Sequence, residues 1–90
     1  MIERTVAVVP EDGLHARPAS ALVEAANAVE SSVTIAPIDG EAIDAGSMLA
    51  VTGLGVAAGD EVVITVEGPD EAEAADRIET ILTTPETGED

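Results

Sequence analysis

The chain's one histidine, His15, stands two residues before Arg17, one of three basic residues among 90, in the stretch Gly13-Leu14-His15-Ala16-Arg17-Pro18-Ala19. Imidazole is the side chain best placed to act as a nucleophile or base near neutral pH. Proline is accommodated only in the first turn of a helix, so Pro18 predicts a helix start and puts His15 and Ala16 at or just before its N-cap. There the unpaired N–H groups point outward and the helix dipole favours negative charge. Arg17 adds a permanent cation able to hold a planar or tetrahedral anion. The spacing predicts an anion site with an imidazole beside it.

A helix N-terminus disfavours the imidazolium form, so His15 tends to stay neutral and nucleophilic. A neutral ring nitrogen can attack phosphorus, and the helix start at Ala16 with Arg17 can then hold the phosphoryl group it acquires. No second histidine, cysteine or lysine is present to serve as an independent base. That pattern points to transient storage of a phosphoryl group, with the harder catalysis left to partners. A plainer reading stands beside it: His15 a satisfied turn residue, Arg17 a surface charge and Pro18 a helix starter, since motifs this short often match by chance.

The elements that must position these residues follow from periodicity. Residues 2–9 (IERTVAVV) are β-branched and stop at Pro10, which predicts a strand with Val6 and Val8 buried; Glu11-Asp12-Gly13 is a turn. From Arg17 to about Val29, Ala19, Leu22, Val23, Ala26 and Val29 make a helical apolar stripe. Residues 33–36 predict a second strand, Asp39-Gly40 a hairpin, and Glu41 to Asp44 a short third strand. Ser47 stands as an N-cap before a short helix of Met48-Leu49-Ala50-Val51. DEVVITVE, residues 60–67, alternates so that Val62, Ile64 and Val66 share one face. Pro69 is expected in the first turn of the last helix, with Asp70, Glu71 and Glu73 at the positive end of its dipole and Ala74, Ala75, Ile78, Ile81 and Leu82 buried.

The order β-α-β-β-α-β-α, with short strands alternating in polarity, predicts an α+β fold. It is an open-faced two-layer sandwich, a four-stranded antiparallel sheet with three helices on one face. One domain spans residues 1–90, and the acidic residues 83–90 are expected to fray.

Three arginines against 19 Asp and Glu give a net charge of −16, with no aromatic residue. Such a surface repels nucleic acid and anionic membranes. The repulsion also works against folding unless molar salt shortens screening to ~3 Å, so the composition predicts a cytoplasm of very high salt. A core of Val, Ile, Leu and Ala buries little area per side chain and should be marginal in dilute buffer. The lack of cysteine excludes disulfides and thiolate metal sites. No apolar run approaches the ~20 residues of a membrane span, and no signal-peptide h-region opens the chain. A cytoplasmic protein is expected, with no cofactor and no metal. The acids at Asp70–Glu73 and Glu86–Asp90 read as solvated charge.

The chain resembles the HPr family, histidine-containing phosphocarriers of the phosphoenolpyruvate-dependent sugar phosphotransferase system. GLHARPA matches the active-centre signature, and Asp44-Ala45-Gly46-Ser47-Met48-Leu49, with Gly53-Leu54-Gly55-Val56 and Gly59-Asp60-Glu61-Val62, matches the regulatory-serine region and the approach to the last strand. The resemblance covers roughly residues 1–82. It implies that enzyme I phosphorylates His15 on Nδ1 and that the group passes to an enzyme IIA. Arg17 would neutralise the phosphoryl group and Pro18 hold the helix start. Ser47 would be the site of a serine kinase, and Met48, Leu49 and Val51 a docking patch, with Ser20 in a minor supporting role. Family members often carry basic residues where this chain has Glu24, Asn27 and Gly46, so the resemblance implies partners that changed with it or that rely more on apolar contact. One residue is inserted near Ile38-Asp39.

Two other functions compete. A regulatory interaction protein of the same fold, controlled at Ser47, would not need His15. An acyl carrier would carry its arm on a serine directly preceded by aspartate, whereas Gly46 precedes Ser47, and would lack the strand read in DEVVITVE. Ser47 as a plain helix cap stands beside Ser47 as a phosphorylation site. A monomer is expected, since a carrier presents one site to successive partners.

Overall fold

Apolar residues at every second position of the 61–67 segment produce one of the two inner strands of the sheet. The computed structural model describes residues 1–11, 13 and 16–85, the side chain of Ala16 excepted. It contains β1 (Ile2–Ala7), α1 (Ala16–Ala28), β2 (Ser32–Pro37), β3 (Ile43–Asp44), α2 (Met48–Thr52), β4 (Glu61–Glu67) and α3 (Glu71–Thr83). The sheet order is β1-β4-β2-β3 and every pairing is antiparallel. Val62, Ile64 and Val66 of β4 are fully buried, flanked in register by Val6 of β1 and by Val33 and Ile35 of β2. All of them point to the side covered by the helices, because side chains on one face recur every second residue.

Above that face, α1 buries Ala19, Leu22, Ala25 and Ala26, and α3 buries Ala74, Ala75, Ile78 and Leu82. Alanine in both helices lets their backbones come close. The expected stripe of α1 is slightly rotated: Ala25 is buried, while Val23 and Val29 are only partly covered. This is the predicted α+β open-faced sandwich. No helix among the described residues is long and apolar enough to cross a membrane.

Two local expectations are corrected. The third strand is two residues long, because β2 and β3 pair only through Thr34–Asp44 and Ile35–Ile43 while Glu41 and Ala42 stay exposed. Pro69 precedes the last helix, whose N-cap is Asp70. Helix α3 runs through Thr83, whose hydroxyl donates to the Glu79 carbonyl at 2.8 Å; of the tail expected to fray, residues 86–90 lie outside the described residues.

Asp70 does not cap its own helix with its side chain. Its carboxylate accepts the backbone N–H groups of Glu30 (3.0 Å) and Ser31 (2.9 Å) and the Ser31 hydroxyl, pinning the α1–β2 connection to the start of α3. The Ser31 hydroxyl, then the Glu30 amide, hold the Asp70 carboxyl below its ordinary range. Arg4 lies on the inner face of the edge strand, in step with Ile2 and Val6, and reaches Asp76 and Glu79 of α3 at 2.8 Å each. Those two carboxylates raise the guanidinium pKa further above its ordinary value.

Candidate functional site

The strand-to-helix crossing after β1 builds the site. Val8 and Gly59 exchange contacts across it: Val8 donates its N–H to the Asp60 carbonyl at 2.9 Å, and Gly59 donates to the Val8 carbonyl at 2.8 Å. Val9 donates to the Leu82 carbonyl at 2.9 Å, which ties the same crossing to the end of α3. The chain then turns, with Gly13 donating to the Pro10 carbonyl at 2.9 Å. Gly13 has φ +66° and is buried against the backbone of Val56 and Ala57. His15 lies outside the described residues; the next residue, Ala16, opens α1.

Pro18 is in the first turn of α1, where its missing N–H costs no hydrogen bond, and its ring is buried. Arg17 is exposed beside it. The first turn of α1 contains no acidic residue, whereas that of α3 contains Glu71 and Glu73. Helix α3 therefore compensates its own dipole with carboxylates, and α1 leaves its N-terminal end uncompensated by its own residues. That end can take an anion from outside, with Arg17 as the cation that meets it.

A groove of about 270 Å³ runs from Arg17 between the first turn of α1 and the end of α3, lined by Pro10, Pro18, Ala21, Ile81 and Thr84. Its walls are mostly apolar, so Arg17 is the group that would hold charge there. A larger hollow of about 430 Å³ lies between the β2–β3 turn and residues 54–61. Asp39, Asp60 and Glu61 line it, which makes it unsuited to a phosphoryl group.

Ser47 is the N-cap of α2, with extended backbone (φ −108°, ψ 113°) and its Oγ accepting the Ala50 N–H at 3.2 Å. The capping role is thus realised. It does not adjoin Arg17. Asn27, at the far end of α1, donates its side-chain amide to the Gly46 carbonyl at 3.1 Å, and ten residues of helix, about 15 Å, separate Arg17 from Asn27. A Cβ on Gly46 would stand 2.6 Å from the Asn27 Oδ1, so a side chain there would push the Asn27 amide aside.

Of the apolar residues named around Ser47, Met48 is 41% exposed and Leu49 85%. Val51 is a correction: it is fully buried and packs into the core, so it anchors α2 and offers no surface to a partner. Ser20 is exposed on α1, three residues past Arg17. The Gly13–Val56 packing and the Asn27–Gly46 bond were not legible in the sequence. The glycine in a Glu-Asp-Gly turn signals a positive φ but not what lies against it.

Comparison with known proteins adds the following. The profile of the family described as PTS HPr component phosphorylation site matches residues 2–84. Phosphocarrier protein HPr of Haloferax volcanii is 54% identical over 86 residues, covering 94% of this chain and 97% of the relative. That of Streptomyces coelicolor is 47% identical over 78 residues, covering 87% and 84%. The crystal structure of HPr from Bacillus anthracis superposes with a TM-score of 0.85 at 31% identity, covering 90% of this chain and 95% of that one.

Proposed function

The chain belongs to the HPr family of phosphocarrier proteins, and we propose that its phosphoryl group is carried on His15. In this reading Nδ1 of His15 forms a P–N bond as the bond between phosphorus and enzyme I breaks, the group having come from phosphoenolpyruvate. The P–N bond then breaks as an enzyme IIA accepts the group. The neutral ring supplies the electron pair, so no separate base is needed for the attack.

The observation that carries the proposal is the placement of the chain's one histidine directly before the first residue of α1, whose first turn holds exposed Arg17 and no acid. The backbone N–H groups at the helix start, those of Ala16 and Arg17 among them, and the Arg17 guanidinium would hold the phosphoryl oxygens. Buried Pro18 fixes the helix start from which they are presented. Met48 and Leu49 would meet partners, with Ser20 at the margin. Ser47, if a serine kinase reached it, would place a dianion at the start of α2 beside that patch and weaken docking. The protein acts as a single monomeric domain in a salt-rich cytoplasm, a setting that suits both its net charge of −16 and its relative in Haloferax volcanii.

Incubation with phosphoenolpyruvate, magnesium and the cognate enzyme I, followed by intact-mass measurement, tests the reading. One acid-labile, base-stable phosphoryl group is expected, absent in His15→Ala and kept in Ser47→Ala. Labelling that survives His15→Ala would overturn it.

A further inference from the structure

A single peptide plane carries the contact that seats the loop before α1. Its carbonyl belongs to Val56 and lies where a Cβ on Gly13 would project; its N–H belongs to Ala57. In a planar trans peptide the two groups point opposite ways, so whatever holds the N–H also aims the carbonyl. Oδ2 of Asp60 accepts that N–H at 3.0 Å. Asp60 is itself anchored. Its N–H donates to the Ala57 carbonyl at 3.0 Å, closing the turn 57–60, and its carbonyl accepts the Val8 N–H at 2.9 Å. Gly59, at φ +93°, donates to the Val8 carbonyl at 2.8 Å and completes the clamp to the residue that follows β1.

Asp60 acts here as an acceptor and not as a charge. It is exposed and makes no ion pair among the described residues, and Asp39 and Glu61, which line the same hollow, are also acids. A carboxylate there adds repulsion to a chain of charge −16, while its bond to the Ala57 N–H orders the backbone. The ordered plane lies one contact from the candidate site. His15 stands in sequence between Gly13, seated on Val56 and Ala57, and Ala16, which opens α1. Buried Pro18 holds the helix side of that interval, and the Val56–Ala57 plane holds the other.

We propose that Asp60 is a positioning residue for phosphoryl transfer: by accepting the Ala57 N–H it holds the Val56 carbonyl against Gly13 and so fixes how His15 meets the phosphoryl donor. The inference rests on the phosphocarrier reading above, since it takes His15 as the acceptor. Asp60 touches no reacting atom and acts only through the backbone. A neutral oxygen in the same place would therefore serve as well, and a carboxylate moved out of reach would not.

Three measurements are made on the full chain in ~3 M KCl, which screens the acids and supports folding. They are urea unfolding, the KM and kcat for phosphorylation by purified enzyme I, and the ring-nitrogen NMR signals of His15, unambiguous because it is the one histidine. Wild type, Asp60→Ala, Asp60→Asn, Asp60→Glu and Asp70→Ala are compared. Asp60→Ala should lower kcat roughly 10-fold with KM kept, and should shift or broaden the ring signals. Asp60→Asn keeps an acceptor without the charge and should stay within about 2-fold of wild type. Asp60→Glu keeps the charge but displaces the oxygen by a methylene. It should show the changes of Asp60→Ala in smaller degree, and it carries the test if Asp60→Ala does not fold. Asp70→Ala frees the opposite end of α1 and should lose stability with kcat and ring signals kept. An Asp60→Ala protein that lost stability alone would overturn the inference, leaving Asp60 a turn cap. So would an Asp60→Asn as slow as Asp60→Ala, which would assign the effect to charge, or an Asp70→Ala equally slow, which would assign it to general loosening. If wild-type His15 takes no phosphoryl group, the phosphocarrier reading falls, and the ring signals alone decide whether Asp60 positions the imidazole.

Discussion

Gly13 and Val56 meet backbone to backbone: Gly13 sits at φ +66° with the Val56 carbonyl where a Cβ would project, and Ala57 Cα only 2.8 Å from that position. The contact locks the loop that leads into α1 against the segment that leads out of α2. Gly55 is the natural control, since its φ is +71° but nothing lies within 4 Å of its would-be Cβ. Gly55→Ala should cost about 1 kcal/mol for the left-handed backbone alone. Gly13→Ala should cost about 3 kcal/mol in urea unfolding, because it adds a backbone clash to the same strain. Equal losses would mean that the Val56 contact contributes nothing.

Arg17 separates function from stability. It is exposed and makes no ion pair among the described residues, so Arg17→Ala should change the unfolding free energy by no more than about 0.5 kcal/mol. Phosphoryl transfer to His15 by enzyme I should slow roughly 10²-fold, as when one preorganised donor to a charged oxygen is removed. Arg17→Lys keeps the charge without the planar fork and should fall between the two. Quench-flow phosphorylation read beside circular dichroism checks both halves.

The parts of this fold governed by local period were legible in the sequence. The face of β4 and the buried side of α3 follow from spacings of two and of three to four, and Ala74, Ala75, Ile78 and Leu82 are buried as expected, whereas Ile81, expected buried with them, is only half-buried at the helix edge. The helix start at the candidate site was legible through Pro18 for the same reason, since its cause lies within one turn. What escaped depends on partners distant in sequence. Asp70 looked like a helix-dipole acid and is spent on Ser31, 39 residues away. Val51 looked like surface because α2 is too short to display a period, and it is buried.

Ser47 should reveal itself first as a cap. Ser47→Ala removes the acceptor of the Ala50 N–H and should cost about 1 kcal/mol, while Ser47→Asp keeps an acceptor and should cost less. Neither change should stop phosphorylation of His15. Chemical denaturation with fixed m-value, followed by the mass assay, distinguishes the two. A stable Ser47→Ala that no longer accepts a phosphoryl group would move Ser47 from capping to the transfer site.

Asp70 predicts an acid limb. Its pKa in the folded protein is depressed below the ordinary 3.8, chiefly by the Ser31 hydroxyl. The folded state therefore binds fewer protons at that site than the unfolded chain does. Its stabilisation is complete above pH ~4 and is lost as pH falls through the lower, folded value. Protonating the other surface acids works the opposite way by relieving repulsion, so the useful quantity is a difference. Melting midpoints of wild type and Asp70→Asn in strong salt should be furthest apart near neutral pH and converge below pH ~3. A constant separation across that range would show that Asp70 does not titrate with folding.

Salt should raise the stability of this protein, because its charge opposes folding and its core cannot compensate with aromatic side chains. The buried cluster consists of Val, Ile, Leu and Ala alone, and the net charge is −16. Between ~0.2 M and ~3 M KCl the screening length falls from under 10 Å to under 3 Å, which removes most repulsion between exposed acids. A rise in melting midpoint of roughly 10 °C is expected, about 2 kcal/mol for a domain of this size. Glu3, Glu61, Glu67 and Glu73 are all exposed, and changing the four together to Gln should raise the midpoint in dilute salt and flatten its dependence on KCl. If the fourfold variant gained as much from KCl as wild type, the salt effect would come from strengthened apolar burial and not from relief of charge repulsion.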